Sequence, residues 1–277
     1  MAAKHSGKRG FLERTTASFV DAMEHAFYAE QTARSGGLMQ RLDPRVKLLG
    51  ILALIAPAAA SRSFAVIAGL FAVAIVLAAL SHVSFAVLLK RVWVAVLLFT
   101  GVIALPAPFV TPGNVVYHLP WTGWSVTAQG LASAGYLVLR VETAATLCVL
   151  LVLTTPWNHV LKALRVLRVP AVMVTILGMT YRYLFLVLQS AHDMFESRRS
   201  RMIGDLTGRE RRRVAASSAG VLMSKTFDLS NEVYQAMQSR GYRGEVSTLD
   251  EFQVRRLDWA MLAGFALVSI AAFWWGL

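Results

Sequence analysis

The sequence lacks the common signatures of catalytic and nucleotide-binding sites. Its 277 residues contain no Gly-x-x-x-x-Gly-Lys-Ser/Thr loop, no His-Glu-x-x-His motif and no Gly-x-Ser-x-Gly turn, which mark P-loop ATP binding, zinc hydrolysis and serine hydrolysis. The six histidines are scattered, and none is followed by a second histidine or a cysteine three or four residues later. We therefore predict that the chain is not an enzyme and has no catalytic residue, cofactor or metal site of its own.

Cysteine is nearly absent as well. The single cysteine, Cys148, lies within an apolar run. The chain can therefore form neither an intrachain disulfide nor a Cys-x-x-Cys redox or metal site. We predict that Cys148 is a small, buried apolar residue.

Charge is missing from a long central stretch. Residues 92–139 contain no Asp, Glu, Lys or Arg, although the whole chain has 28 Lys and Arg and a net charge of +12. Hydrophobic residues make up 56% of the chain, which is typical of an integral membrane protein. The basic residues are concentrated at the N-terminus, in short loops and between positions 198 and 256. That distribution indicates the positive-inside bias of a multispanning protein and not a nucleic-acid-binding surface.

Five apolar runs are long enough, or nearly so, to cross a bilayer. We predict spans over residues 48–60, 64–80, 92–105, 131–153 and 257–277. Lys90 and Arg91 mark a cytoplasmic loop before the third span. The uncharged residues 107–130 are predicted to form an outer loop, with an aromatic belt that contains Trp121 and Trp124.

Several charged residues lie inside or beside these spans. Asp43 and Pro44 suit the N-cap and the first turn of the first span, and Lys47 is expected to extend to the lipid headgroups. Arg140 and Glu142 lie two residues apart in the fourth span and on different faces, so they are not expected to pair. Three alternatives stay open for them: a functional role, a location at the outer interface, or a structural hydrogen bond to a neighbouring helix.

The apolar residues 169–188 present a topological choice. With the N-terminus inside, four spans return the chain to the cytoplasm at Pro156. A further crossing at 169–188 would place the arginines between positions 198 and 213 outside, against the orientation bias. We therefore predict that 169–188 does not cross, that the region 198–256 is cytoplasmic, and that the C-terminus lies outside.

The region after Pro156 is predicted to form two long helices. The first covers residues 169–201, packed against the membrane domain in its first half and amphipathic in its second. A polar link over 202–213 follows, and then a second amphipathic helix that ends at Gly241, a residue type that favours helix C-termini. Before the first span, Phe19, Met23, Ala26 and Phe27 have the spacing of an amphipathic helix at the membrane surface.

Two short basic signatures close these helices. Glu-Ser-Arg-Arg-Ser-Arg ends at Arg201, and Gln-Ser-Arg-Gly ends at Gly241. Arginines near helix C-termini can simply complement the helix dipole and anionic headgroups. Here the two signatures resemble each other, they end helices on the same predicted side, and the sequence between them is amphipathic. Because arginine donates a planar fork of hydrogen bonds, we predict that these two helix ends bind a soluble partner.

Three stretches resemble the transmembrane, or T, components of energy-coupling factor (ECF) transporters. Asp-Pro-Arg-Val-Lys-Leu, which begins at Asp43, resembles a signature near the start of these proteins. Thr-Thr-Pro, which ends at Pro156, is similar to the start of their coupling helices. Residues 227–244 are very similar to the matching stretch of the CbiQ type, the cobalt and nickel branch. The resemblance runs from about Leu42 to the C-terminus.

Together with the apolar runs, the resemblance implies a fold class. We expect an all-α integral membrane protein with about five transmembrane helices and a cytoplasmic coupling module of two long amphipathic helices. The expected segments are an amphipathic N-terminal part (1–41), the first four spans (42–155), the coupling helices (156–256) and the last span (257–277).

The resemblance also implies a function, the scaffold and coupling subunit of an ATP-driven importer of Co²⁺ or Ni²⁺ in the cell membrane. In the family, arginines in Ala-Arg-Gly-like motifs dock on two ATPase subunits of the CbiO type. The first motif of this chain has Met202 in place of glycine. The positions that match are Ser200 and Arg201 in the first motif, with Arg199 as the alternative, and Ser239, Arg240 and Gly241 in the second.

The implied membrane partners are a metal-capturing subunit of the CbiM type and a small accessory subunit of the CbiN type. Metal would then be bound by another chain. The alternative from a different class is a self-contained channel or carrier with a basic cytoplasmic regulatory region. Such a protein would need a polar pathway, which the uncharged residues 92–139 do not offer.

Overall fold

The structure, a computed structural model, describes residues 36–118, 125–201, 207–244 and 255–276. The predicted N-terminal helix around Phe19, Met23, Ala26 and Phe27, and the predicted belt residues Trp121 and Trp124, lie outside this range. The described chain divides into two units. The membrane unit is the described part of 29–163 and 251–277, and the helix-pair unit is the described part of 164–250.

The chain is α-helical, as the sequence predicts. In chain order the helices are α1 (Leu38–Arg41), α2 (Pro44–Ala60), α3 (Phe64–Leu80), α4 (Phe85–Leu88), a π-helical segment (Leu89–Trp93), α5 (Val94–Ala104), α6 (Ala107–Val110), α7 (Ala128–Thr154), α8 (Trp157–Val166), α9 (Ala171–Ser200), α10 (Gly208–Ser239) and α11 (Arg256–Gly276). A small antiparallel hairpin, β1 (Val115–His118) and β2 (Ser125–Thr127), lies between α6 and α7.

Three of the described helices are long and apolar enough to cross a membrane. They are α7, the residues Ala171–Arg198 of α9, and α11, and the shorter helix α3 is apolar as well. The chain is therefore a multi-pass membrane protein. Because α9 meets the same criteria of length and apolarity as α7 and α11, the count of five spans still depends on the argument from the arginines.

Two predicted boundaries are wrong. Lys90 and Arg91 do not form a loop, because their backbone lies in the π-helical segment that joins α4 to α5. Long basic side chains near the end of a span can reach water without interrupting the helix. The polar link predicted over 202–213 is shorter, since α10 begins at Gly208.

The start of α2 is capped as predicted, but Lys47 does not lie where it was expected. Asp43 is the N-cap, its carboxylate accepts from the N–H of Arg45 at 2.9 Å, and Pro44 is the first helical residue. Lys47 was expected at the headgroups, yet it is only 1% exposed. Its Nζ donates to the carbonyl of Thr154 at 2.9 Å.

The helices α2 and α11 pack closely. A Cβ at Gly50 would overlap the ring of Phe265, so the glycine lets the two helices approach. Pro57 lies inside α2 and has no N–H, which leaves the carbonyl of Ala53 without its helical donor. The hydroxyl of Ser269 on α11 donates to that carbonyl at 2.6 Å. The contact satisfies a backbone group that proline leaves open and joins α11 to α2.

Residues of α7 show how a span faces its surroundings. Leu147 and Leu150 are buried in the core, whereas Cys148 is exposed, so its predicted burial is wrong. A span is apolar on all sides, and hydropathy therefore does not separate core-facing from outward-facing residues.

Arg140 Nη2 donates to the carbonyl of Ser61 at 2.8 Å, which is the structural hydrogen bond among the predicted alternatives. Glu142 is buried, and its carboxyl oxygens have no hydrogen-bond partner among the described residues.

Candidate coupling site

The two long helices of the helix-pair unit meet near their midpoints. Around a narrow cavity, three residues of α9 face four residues of α10: Leu186, Val187 and Ser190 on α9, and Leu222, Lys225, Thr226 and Leu229 on α10. Each helix therefore continues well beyond this contact toward its C-terminal end. We call that part of each helix an arm.

The two predicted arginines stand at the ends of these arms. Arg201 directly follows Ser200, the last residue of α9, and Arg240 is the C-cap of α10. Each arginine is eleven residues beyond the last residue of its own helix that lines this cavity, Ser190 or Leu229. At 1.5 Å per residue, both arms are about 16 Å long. Both arginines are exposed.

The serines that precede the arginines make the same contact in both arms. Ser200 Oγ donates to the carbonyl of Ser197 at 2.9 Å, and Ser239 Oγ donates to the carbonyl of Ala236 at 3.0 Å. These carbonyls belong to the last turn of each helix, where backbone acceptors lack helical donors. The likeness of the two signatures thus extends from sequence to geometry.

The end of α10 is tightly defined. Gly241 has φ +82°, and its N–H donates to the carbonyl of Gln238 at 2.9 Å. The N–H of Tyr242 donates to the carbonyl of Met237 at 3.0 Å. This pair of bonds is a Schellman motif with glycine at the left-handed position. The predicted place of Gly241 as the residue that ends the helix is confirmed, and the motif fixes the backbone from which Arg240 projects.

The end of α9 closes differently. The N–H of Arg201 donates to the carbonyl of Arg198 at 3.2 Å, a tighter turn than the α-helix makes. The side chain of Arg199, the alternative in the first motif, lies outside the described residues. The structure thus places Ser200, Arg201, Ser239, Arg240 and Gly241 at two matched helix ends, and their roles stay predictions.

The start of α10 carries a capping box. The N–H and the hydroxyl of Thr207 both donate to Glu210 Oε2, at 2.9 and 2.8 Å, and Thr207 Oγ1 accepts from the N–H of Glu210 at 3.5 Å. The backbone hydrogen bond from Thr207, followed by the bond from its side chain, holds the pKa of Glu210 below its ordinary value. Exposed arginines surround this acid: Arg209, Arg211, Arg212 and Arg213.

No three His, Cys, Asp or Glu side chains come together within the part of the chain that the structure describes. The predicted arginines, Arg201 and Arg240, are exposed at the two helix ends of the helix-pair unit.

Comparison with known proteins identifies the family. A family model, CbiQ, with the description "Cobalt transport protein", matches residues 37–249. The chain belongs to the CbiQ family. The match includes all three motifs that indicated the resemblance, from Asp43 to Gly244. The chain is a CbiQ-type transmembrane component of an ECF transporter.

Relatives of the chain agree with this assignment. An uncharacterized protein of Methanocaldococcus jannaschii is 33% identical, over 94% of this chain and 90% of its own length. The cobalt transport protein CbiQ of Rhodobacter capsulatus is 32% identical, over 54% of this chain and 62% of its own. The energy-coupling factor transporter transmembrane protein EcfT of Lacticaseibacillus paracasei is 24% identical, over 83% and 91%. A CbiQ-type component works with ATPase subunits and a substrate-binding membrane subunit.

Proposed function

We propose that this chain couples ATP hydrolysis to the import of Co²⁺ or Ni²⁺. The observation that carries the proposal is the pair of exposed arginines at the ends of two arms of equal length. Two CbiO-type ATPase subunits would each receive one arginine, Arg201 or Arg240. Equal arms suit such a pair, because closure of two like subunits then displaces both helix ends by similar distances.

The helix pair would carry this motion toward the bilayer. A packed crossing between two rigid helices passes on a displacement better than a flexible link does. Both helices also have exposed apolar side chains, among them Val172 and Ile176 on α9 and Val221 on α10. A membrane subunit of the CbiM type, which would hold the metal, can pack on these side chains. A small CbiN-type subunit would complete the complex.

The family supports the choice of metal in this proposal. Cobalt is named in the description of the family and in the name of the R. capsulatus relative, and nickel is the other cation of this branch. In this proposal the ion is cargo of the partner subunit. The N-terminus, the coupling arginines and the region 198–256 would face the cytoplasm, and the C-terminus the outside.

The arginine variants test this function. Arg240→Ala should leave the chain inserted and folded, because an exposed side chain at a helix end adds little to packing. It should weaken ATPase attachment by about 2–4 kcal/mol, the usual cost of truncating a charged anchor at an interface. Arg240→Lys should restore ATPase attachment only in part, since an ammonium cannot form the planar fork of hydrogen bonds. Arg201→Ala should resemble Arg240→Ala, and the double variant should lose transport.

The measurements are co-purification of the ATPase and uptake of Co²⁺ and Ni²⁺ by cells. Arg243→Ala is the matched control, because it removes an exposed arginine three residues beyond Arg240. Arg199→Ala tests whether Arg199, and not Arg201, is the docking arginine of the first motif. Normal attachment and uptake by the double variant would show that the arginines only complement headgroups. Uptake by liposomes that contain this chain alone would favour the channel or carrier.

A further inference from the structure

Three buried charged residues lie together at helix ends of the membrane unit. Asp43, Lys47 and Asp258 are 7%, 1% and 2% exposed, and we call them the charged cluster. Charged side chains this deeply buried are uncommon unless they are paired or hydrogen-bonded. The sequence indicated Asp43 as a cap and Lys47 as a headgroup anchor, and it gave no signal for Asp258.

Asp258 joins the beginnings of two helices. Its Oδ2 accepts from the N–H of Arg255 at 2.7 Å, which caps α11. Its Oδ1 accepts from the N–H of Asp43 at 2.8 Å, immediately before α2. Both acceptors lie where helix N-termini leave N–H groups without partners. One carboxylate therefore fixes α11 and α2 to each other at their first residues.

Lys47 connects the same place to the end of a third helix. Its Nζ donates to the carbonyl of Thr154, the last residue of α7, at 2.9 Å. The carboxylates of Asp43 and Asp258 attract the ammonium group of Lys47. The cation lies at a helix C-terminus and the two carboxylates at helix N-termini, so each charge complements the dipole of the helix that it touches.

The cluster binds the two ends of membrane helices that lead toward the helix-pair unit along the chain. After Thr154 the chain continues through Thr155, Pro156 and α8 to the unit boundary after residue 163, and beyond the second boundary, at residue 251, Arg255 precedes α11. The carbonyl at the first connection and the N–H at the second are both bound by the charged cluster.

We propose that the charged cluster is the anchor that holds both connections, so that movement of the helix pair displaces the membrane helices as rigid bodies. Without the anchor, a pull on either connection would unwind the last turn of α7 or the first turn of α11. Asp43, Lys47 and Asp258 are then positioning residues for energy coupling. The inference rests on the proposed function, and it adds residues that neither the arginine motifs nor the apolar faces contain.

The first test uses the purified chain and does not depend on transport. In Lys47→Met a side chain of similar length loses every N–H donor, whereas Lys47→Arg keeps donors. Hydrogen exchange at the end of α7 should rise by about ten-fold in Lys47→Met and less in Lys47→Arg, because local opening limits exchange. Asp258→Asn should raise exchange at the starts of α2 and α11. Exchange in α5 should not change. Unchanged exchange at these helix ends would overturn the proposal.

The second test uses the reconstituted complex with its ATPases. Lys90→Met is the control, because Lys90 is an exposed lysine of the membrane unit. For Lys47→Met and Asp258→Asn we expect ATPase attachment and hydrolysis within about two-fold of the wild type. Metal transported per ATP should fall by about ten-fold, as expected for residues that transmit coupling. Lys47→Arg should recover most of that ratio, and Lys90→Met should keep it.

The outcomes separate the two proposals. A transport-to-hydrolysis ratio that stays normal in both variants would overturn the anchor, and so would hydrolysis and transport that fall together. If neither Lys47→Met nor Asp258→Asn accumulates in the membrane, the cluster belongs to the folding core and the anchor is also refuted. A wild-type complex that moves no metal would instead contradict the proposed function, while the hydrogen-exchange result would still decide whether the cluster holds the helix ends.

Discussion

Among the described residues with positive φ, Gly241 and Arg168 close their helices in the same way. Gly241 (φ +82°) ends α10, and Arg168 (φ +65°) ends α8. At the second site the N–H of Arg168 donates to the carbonyl of Arg165 at 3.2 Å, and the N–H of Val169 donates to the carbonyl of Leu164 at 3.3 Å. Both are Schellman motifs. Only the first has the residue that this backbone prefers, because a Cβ makes the left-handed region unfavourable.

Opposite substitutions at these residues should have opposite effects. Gly241→Ala should destabilise the end of α10 by about 1 kcal/mol, and Arg168→Gly should stabilise the end of α8 by a similar or smaller amount. At Gly241 no atom would contact the new Cβ, so the cost is one of backbone conformation alone. Hydrogen exchange of the last turn of each helix measures both changes. Gly220→Ala, in the interior of α10 and also without nearby atoms, is the control and should stabilise. A loss of protection at Gly220→Ala equal to that at Gly241→Ala would contradict the conformational explanation.

Residue by residue, local chemistry was predictable and burial was not. The cap at Asp43 and the glycine terminus at Gly241 were found because a few neighbouring residues determine them. Lys47 and Cys148 were misplaced because their surroundings depend on which helices pack beside α2 and α7. Hydropathy carries little of that information inside a membrane, where lipid and core are both apolar. For the same reason nothing in the sequence singled out Asp258.

At the scale of elements, the beginning of α10 has a device that depends on pH. Thr207 and Glu210 form the capping box, and hydrogen bonds from Thr207 hold the pKa of Glu210 below its ordinary value of 4.5. A depressed pKa means that the folded turn favours the ionised carboxylate. Its contribution is therefore complete above the ordinary pKa and is lost as the pH falls through the lowered pKa. At neutral pH the cap is fully formed.

We predict that Thr207→Ala destabilises the first turn of α10 by about 1 kcal/mol at neutral pH, the usual value of an N-cap. Glu210→Gln should make the stability of this turn independent of pH in the acid range, while it keeps one acceptor for Thr207. The measurement is the carboxyl resonance of Glu210 in a pH titration, together with amide protection from Gly208 to Arg213. A midpoint for Glu210 at or above the ordinary value would contradict the hydrogen bonds described here.

Whole elements were predicted better than their ends. The helices α3, α7, α9 and α11 agree closely with apolar or amphipathic runs in the sequence. The starts of the third span and of α10 were placed too late, because Lys90 and the arginines after Gly208 suggested a loop. Basic residues mark the side of the membrane more reliably than they mark the end of a helix. The π-helical segment Leu89–Trp93 has no sequence signal that we can name.

For the molecule as a whole, the sequence predicted the arginines of the candidate site but not their geometry. Motif similarity led to Arg201 and Arg240, since each closes an amphipathic run. The equal arms follow from the position of the cavity between α9 and α10, whose last lining residues are Ser190 and Leu229. Its position depends on how two whole helices pack side by side, and no local sequence pattern encodes that packing.

The orientation of the helix-pair unit is the broadest claim about the whole chain. Helix α9 satisfies the length and apolarity of a span, yet a crossing there would put the arginines after it outside, against the positive-inside bias. We therefore predict that cysteines introduced at Ser217 and Ser247, in a Cys148→Ala background, resist membrane-impermeant thiol reagents in intact cells and react after permeabilisation. A cysteine at Ser125, between α6 and α7, is the control and should react from outside. Removal of Cys148 is required because that residue is exposed on α7. Labelling of Ser217→Cys and Ser247→Cys from outside would make α9 a sixth span and would place both arginine motifs beyond the reach of cytoplasmic ATPases.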